Sequence, residues 1–175
     1  TLLTGEIQSG KTNLCLEVVG AARAAGVQLG GLVSPGVFQA GEKIAIDVLD
    51  IRSGEKERLA ELAGGSLTGI STQRWTFHPE AVAWGNQVLK RAVPCQLLVI
   101  DELGPLEFLR GEGWKTGFDV IASGKYQAAM VVIRPSLLEE ALNRWEVRRI
   151  INLDDPEDPL RLGRDLLIAL MENPA

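Results

Sequence analysis

The sequence predicts a three-layer α/β fold: a mainly parallel sheet covered by helices on both faces, with an added antiparallel β-hairpin. Three observations carry this expectation. Short apolar runs alternate with amphipathic helical patterns through the second half of the chain, the arrangement that builds strand–helix–strand units in a parallel sheet. The run Gln96-Leu97-Leu98-Val99-Ile100 is uninterrupted by charge, as in a strand buried on both faces. Between Val33 and Asp50 the pattern changes to alternation, with Ile44, Ile46 and Val48 on one side and an Ala40-Gly41 turn before them.

Taken in order, Thr1 to Thr4 is a short strand, and Lys11 to Ala25 is a helix with Leu14, Val18, Ala21, Ala22 and Ala25 at three- and four-residue spacing. Val27 to Ser34 is a second strand in which Gly30 and Gly31 let another backbone come close. After the hairpin, Glu55 to Leu62 reads as a short helix or turn closed by Gly64-Gly65, and Leu67 to Phe77 as one more strand or an extended loop. Pro79, Glu80 and Lys90-Arg91 frame a helix that turns Ala81, Trp84 and Val88 inward. Beyond the run at Gln96 come a helix over Gly111 to Ser123, a strand over Ala128 to Ile133 and a helix over Pro135 to Leu142. A strand over Val147 to Leu153 and a closing helix over Asp158 to Met171 complete the reading. At 175 residues, a single domain over 1–175 is expected.

The first apolar run leads into Gly5-Glu6-Ile7-Gln8-Ser9-Gly10-Lys11-Thr12, a G-x-x-x-x-G-K-[ST] phosphate-binding loop between a strand and a helix. Gly5 and Gly10 can adopt φ values that side chains forbid, so the amides between Glu6 and Thr12 can turn inward around an anion. The helix that follows adds its unpaired N–H groups and positive dipole end. Lys11 can then reach the β- and γ-phosphates, and the Thr12 hydroxyl can ligate Mg²⁺.

The second motif is Asp101-Glu102, at the end of the buried run. Its strand is expected beside the one that leads into the loop, so that both deliver their ends to one crevice. Asp101 would hold Mg²⁺ in company with Thr12. Glu102, one step on, would orient or deprotonate the attacking water, a role that a hydrolase needs and a simple binder does not. Gly104 completes an Asp-x-x-Gly arrangement whose amide can meet a terminal phosphate.

Composition narrows the partners. Eighteen Lys and Arg against 23 Asp and Glu give a net charge of −5, and the basic residues are scattered, so no nucleic-acid partner is expected. No apolar stretch is long enough for a bilayer. Thr1 runs straight into the first strand, as in a trimmed or processed chain. Cys15 and Cys95 read as isolated, reduced thiols, which suits a cytoplasmic protein. The lone His78, before Pro79, reads as a residue at the start of a helix, which leaves no basis for His-based metal or triad chemistry.

With both motifs placed, the chain resembles the THEP1-like nucleoside-triphosphatase family of P-loop NTPases. The resemblance covers most of the sequence: the loop, Gly31-Leu32-Val33-Ser34, the string Asp101-Glu102-Leu103-Gly104-Pro105-Leu106-Glu107, and Asn152 at the end of the last strand. It implies Mg²⁺-dependent hydrolysis of nucleoside triphosphates, ATP and GTP included, with loose base preference. The turn from Asn152 to Pro156 is our candidate for the base pocket; it lacks the Lys of a guanine-reading motif. The hairpin departs from the family pattern. Gly36-Val37-Phe38 and Gly41-Glu42-Lys43 stand where the family carries arginines, so another Arg is sought among Arg74, Arg110 and Arg134. Glu107 matches the family string and would brace the loop. Two other readings stay open: a P-loop kinase acting on a nucleotide or small molecule, and a nucleotide-binding switch or accessory protein with little turnover.

Overall fold

The computed structural model describes residues 1–64 and 69–155. The helix expected over Asp158 to Met171 lies outside them, as do Pro156 and residues 65–68.

The strands are β1 (Leu2–Thr4), β2 (Leu29–Val33), β3 (Gly36–Gln39), β4 (Glu42–Asp50), β5 (Lys56–Leu62), β6 (Trp75–Phe77), β7 (Cys95–Leu103), β8 (Tyr126–Ile133) and β9 (Ile150–Asn152). They form one sheet in the order β6-β5-β4-β2-β7-β8-β1-β9, with β3 hydrogen-bonded to β4. From β2 to β9 all neighbours are parallel. From β2 outward through β4, β5 and β6 they are antiparallel. The expected hairpin, β3–β4, is therefore one part of a four-stranded antiparallel extension.

Two layers of helix cover the sheet. The alternation of strand side chains assigns them. Leu3, Leu97, Val99, Met130 and Val132 pack on one face with Leu14, Cys15, Val18 and Ala22 of α1 (Lys11–Ala24). Their sequence neighbours Leu2, Leu98, Ile100, Val131 and Ile133 pack on the other. There they meet Ala81 and Leu89 of α2 (Pro79–Lys90), Val120 and Ile121 of α4 (Thr116–Ala122), and Ala141 of α5 (Leu138–Arg144). A short helix missing from the sequence reading, α3 (Pro105–Arg110), follows β7 directly, and the helix expected from Gly111 is confined to α4.

Three further expectations are corrected. Glu55 to Leu62 is not helical: it is β5, paired with both β4 and β6. Cross-strand pairing there overrides the helix-forming character of Lys, Glu, Leu and Ala. Trp84 is only partly buried against the core. The strand bearing Asp101 does not adjoin the strand leading into the loop, because β8 lies between them. The two motifs still share one edge, since the three strands run parallel and end together. Gly30 and Gly31 behave as expected. A Cβ on Gly30 would lie 2.0 Å from the Ala92 carbonyl oxygen, and one on Gly31 1.9 Å from that of Val99.

Candidate active site

The loop leaves β1 at Gly5 and enters α1 at Lys11. Its backbone uses positive φ at Gly5 (144°), Gln8 (69°) and Gly10 (96°), the turn chemistry that points successive amides inward. A Cβ on Gly5 would sit 2.7 Å from Ser9 Oγ. Lys11 is buried, and its Nζ donates to the carbonyls of Gly5 and Glu6, each at 2.6 Å, and to Ser9 Oγ at 3.2 Å. The ammonium thus lies folded across the loop on protein oxygens, where phosphate oxygens can replace them. The Glu6 amide donates to Asp154, 2.9 Å from Oδ2. Ile7 is exposed at the loop's outer side.

The acid pair sits on a bulge. Between Ile100 and Leu103 β7 advances three residues while β8, from Val131 to Ile133, advances two. The extra residue takes Asp101 and Glu102 out of the regular ladder, a device that re-aims side chains beside sites. Asp101 is 3% exposed. Its Oδ2 accepts the Ser34 amide at 3.2 Å, and its backbone carbonyl accepts the Ser34 hydroxyl at 2.7 Å. Burial, reinforced by the neighbouring Glu102 charge, pushes the Asp101 carboxyl up to about 6. The Ser34 amide, the Thr12 hydroxyl and the Lys43 ammonium pull in the opposite direction. The Thr12 hydroxyl, at the start of α1, thus lies close enough to Asp101 to act on its carboxyl.

The oxygen set fits a hard divalent cation. A buried carboxylate short of positive charge and an alcohol oxygen are Mg²⁺ ligands, and Mg²⁺ takes its remaining positions from water and substrate phosphates. Among the described residues no cluster of three or more His, Cys, Asp or Glu could hold a metal by itself.

Glu102 is partly exposed and ion-paired: Arg134 Nε, just beyond the end of β8, donates to Glu102 Oε1 at 2.8 Å. Gly104 is occupied differently from expectation. Its amide donates to Glu107 Oε2 at 2.8 Å, so the group expected to meet a terminal phosphate is already engaged. The other oxygen of Glu107 accepts the Trp114 amide at 2.7 Å. Glu107 thus braces the segment from Gly104 to Trp114 from inside. Burial lifts its carboxyl to about 7, against the pull of the Trp114 and Gly104 amides and its own.

A family model described as NTPase matches residues 1–154. "Nucleoside-triphosphatase THEP1" of Thermococcus kodakarensis is 30% identical over 132 residues, covering 74% of this chain and 73% of that protein. This chain belongs to the THEP1 family of nucleoside-triphosphatases. THEP1 of Thermofilum pendens is 33% identical over 108 residues, where the match spans 61% of this chain and 58% of the relative. Two solved structures share the fold: a human cancer-related nucleoside triphosphatase (TM-score 0.75, 21% identity, 100% and 98% of the two chains covered) and THEP1 from Aquifex aeolicus (TM-score 0.69, 18% identity, 97% and 97%).

The β3–β4 hairpin sends one cation toward the acid pair. Lys43 on β4 lies 5.6 Å over the Trp75 ring, and it feels the charges of both Asp101 and Glu102. Burial, with Arg74 nearby, nevertheless lowers its pKa. Of the candidate arginines, Arg110 is engaged by Glu112 and the Ser71 carbonyl, away from the acid pair. Arg74 stacks on Trp75 at 5.3 Å. Arg134 alone of the three contacts the acid pair. Asn152 pairs with Thr4 at the loop's edge, and its Oδ1 accepts the Asp154 amide at 3.2 Å. Ser34 and Lys43 make contacts at the site that the sequence did not reveal, and Asp154, within the turn expected to hold the base, also accepts the Glu6 amide of the loop. The sequence signal for Ser34 is the Gly31-Leu32-Val33-Ser34 string, whose end the fold sets against Asp101.

Proposed function

We propose that this chain hydrolyses nucleoside triphosphates, with Mg²⁺, to the diphosphate and phosphate. The observation that carries the reading is the meeting of Thr12, Asp101 and Glu102 at one sheet edge, in a THEP1-family chain with a complete loop. The loop amides and Lys11 would bind the β- and γ-phosphates, and Thr12 and Asp101 would hold the cation. Bound Mg²⁺ supplies neutralisation of the charge that develops on the β- and γ-oxygens. Glu102 accepts a proton from water as its oxygen bonds to the γ-phosphorus, and the bond from phosphorus to the β–γ bridging oxygen breaks. The diphosphate leaves with that electron pair.

ATP and GTP are both substrates in this reading, with loose base preference. Asn152 and the turn after it border the loop, which supports them as neighbours of the base. The two buried free thiols suit a reducing, cytoplasmic setting, and no helix among the described residues is long and apolar enough to cross a membrane. The test is release of phosphate from a panel of Mg·NTP substrates, with diphosphate appearing in equal amount. Phosphate transferred to an added acceptor would favour a kinase, and tight binding without release would favour a switch.

A further inference from the structure

We infer that Arg134 is an arginine finger carried in cis, held on Glu102 until a triphosphate arrives and then drawn to the γ-phosphate, so that the same movement frees the water-activating carboxylate. The inference rests on the hydrolysis reading and goes beyond it by assigning a residue and an order of events.

Position is the first support. β8 is the strand between β1, which feeds the loop, and β7, which bears the acid pair. A residue at its carboxyl end emerges between the two motifs, and that residue is Arg134. The second support is the contact. Arg134 Nε donates to Glu102 Oε1 at 2.8 Å, and a Cβ placed on Gly104 would lie 3.2 Å from Glu102 Oε1 and 3.8 Å from Arg134 Nε. Gly104 thus keeps open the space where the pair meets. The third is how loosely the pair is held: the Arg134 and Glu102 side chains are 43% and 30% exposed, and an ion pair so wetted is weak. A triphosphate, with more charge than one carboxylate, competes well for the guanidinium.

Lys11 follows the same logic, being parked on the Gly5 and Glu6 carbonyls. Each cation is kept on a protein oxygen that the substrate can displace. For Arg134 the displaced oxygen is also the one that takes the proton, so arrival of the γ-phosphate and release of the base become one event. A diphosphate would leave Arg134 where it is.

The experiment compares wild type with Arg134→Ala and Arg134→Lys, and with Arg110→Ala as a control on an arginine away from the acid pair. Steady-state phosphate release, affinity for a non-hydrolysable triphosphate, and trapping of diphosphate by aluminium fluoride are measured, with thermal unfolding as the check on folding. Arg134→Ala should lower kcat by ~100-fold or more and weaken affinity for the triphosphate analogue by more than ~3-fold, since the contact with the γ-phosphate forms on binding and strengthens in the transition state. It should also lose aluminium fluoride trapping, and added guanidinium ion should restore part of the rate. Arg134→Lys should fall between the two, its point charge lacking the planar fork. Wild-type turnover with Arg134→Ala within ~3-fold of it in kcat, or with trapping intact, overturns the arginine assignment alone. If Arg134→Ala unfolds, Arg134→Lys carries the test, and its matching wild type in kcat and trapping overturns the assignment. A wild type that releases no phosphate from any triphosphate overturns both this inference and the hydrolysis reading.

Discussion

Ser34 holds Asp101 at two points, its amide on the Oδ2 carboxylate oxygen at 3.2 Å and its hydroxyl on the backbone carbonyl at 2.7 Å. These bonds tie the end of β2 to the bulge in β7 and fix the direction in which a buried carboxylate points. Ser34→Ala keeps the first and loses the second. The variant should be less stable by ~1 kcal/mol in urea denaturation, the usual worth of one such bond. Its turnover should fall several-fold, because Asp101 is then less firmly aimed. Unchanged turnover would show that the bulge holds its geometry without this bond.

Glu107 gives the protein a pH-dependent stability whose sign is unusual for a hydrogen-bonded carboxylate. Its value in the fold, about 7, lies above the ordinary 4.5, so the folded state binds the proton more tightly than the unfolded state. That contribution is full at pH below about 4.5 and is lost as pH rises through about 7, with a span of ~3 kcal/mol. The measurement is the unfolding free energy of wild type and Glu107→Gln from pH 4.5 to 7.5. Wild type should lose stability relative to the variant across this range; a constant difference would contradict the assignment.

The loop, the helix after it and the acid-bearing strand were legible because each is set by local chemistry. Gly5 and Gly10 have backbone angles that few other residues tolerate, and Leu97 to Ile100 has no polar residue to expose. What sequence could not supply came from distant partners. Lys56 to Leu62 is built of good helix formers, and it became β5 only because β4 and β6 flank it. The order β7-β8-β1 depends on which crossover inserts where, and no residue in those strands encodes it. Lys43 is a site cation only because the fold carries β4 beside Trp75 and the acid pair.

Gly85 sets two effects against each other. In α2 a Gly→Ala change gains helix propensity, ~1 kcal/mol in an open position. Here the new methyl would lie 2.3 Å from the ring of buried Trp114, whose amide is held by Glu107. Overpacking of this kind costs ~1–3 kcal/mol, so Gly85→Ala should be net destabilising in thermal unfolding. A gain in melting temperature would mean that Trp114 moves aside freely.

Lys43 helps keep Asp101 ionised, and its removal should be visible without substrate. In protein free of nucleotide and metal, the Asp101 carboxyl in Lys43→Ala should titrate above its present value of about 6, as read by carbon NMR of the side chain. Lys43→Arg should leave it near the wild-type value. A lower value in Lys43→Ala would remove Lys43 from the site.

Water activation by Glu102 is what separates a hydrolase from a phosphate-binding loop, and Glu102→Gln isolates that step. The substitution keeps size and hydrogen bonding to Arg134 while removing the proton acceptor. Phosphate release from Mg·ATP and Mg·GTP should fall by ~100-fold or more, with triphosphate affinity retained. Equal turnover in wild type and Glu102→Gln would exclude Glu102 as the group that takes the proton from water.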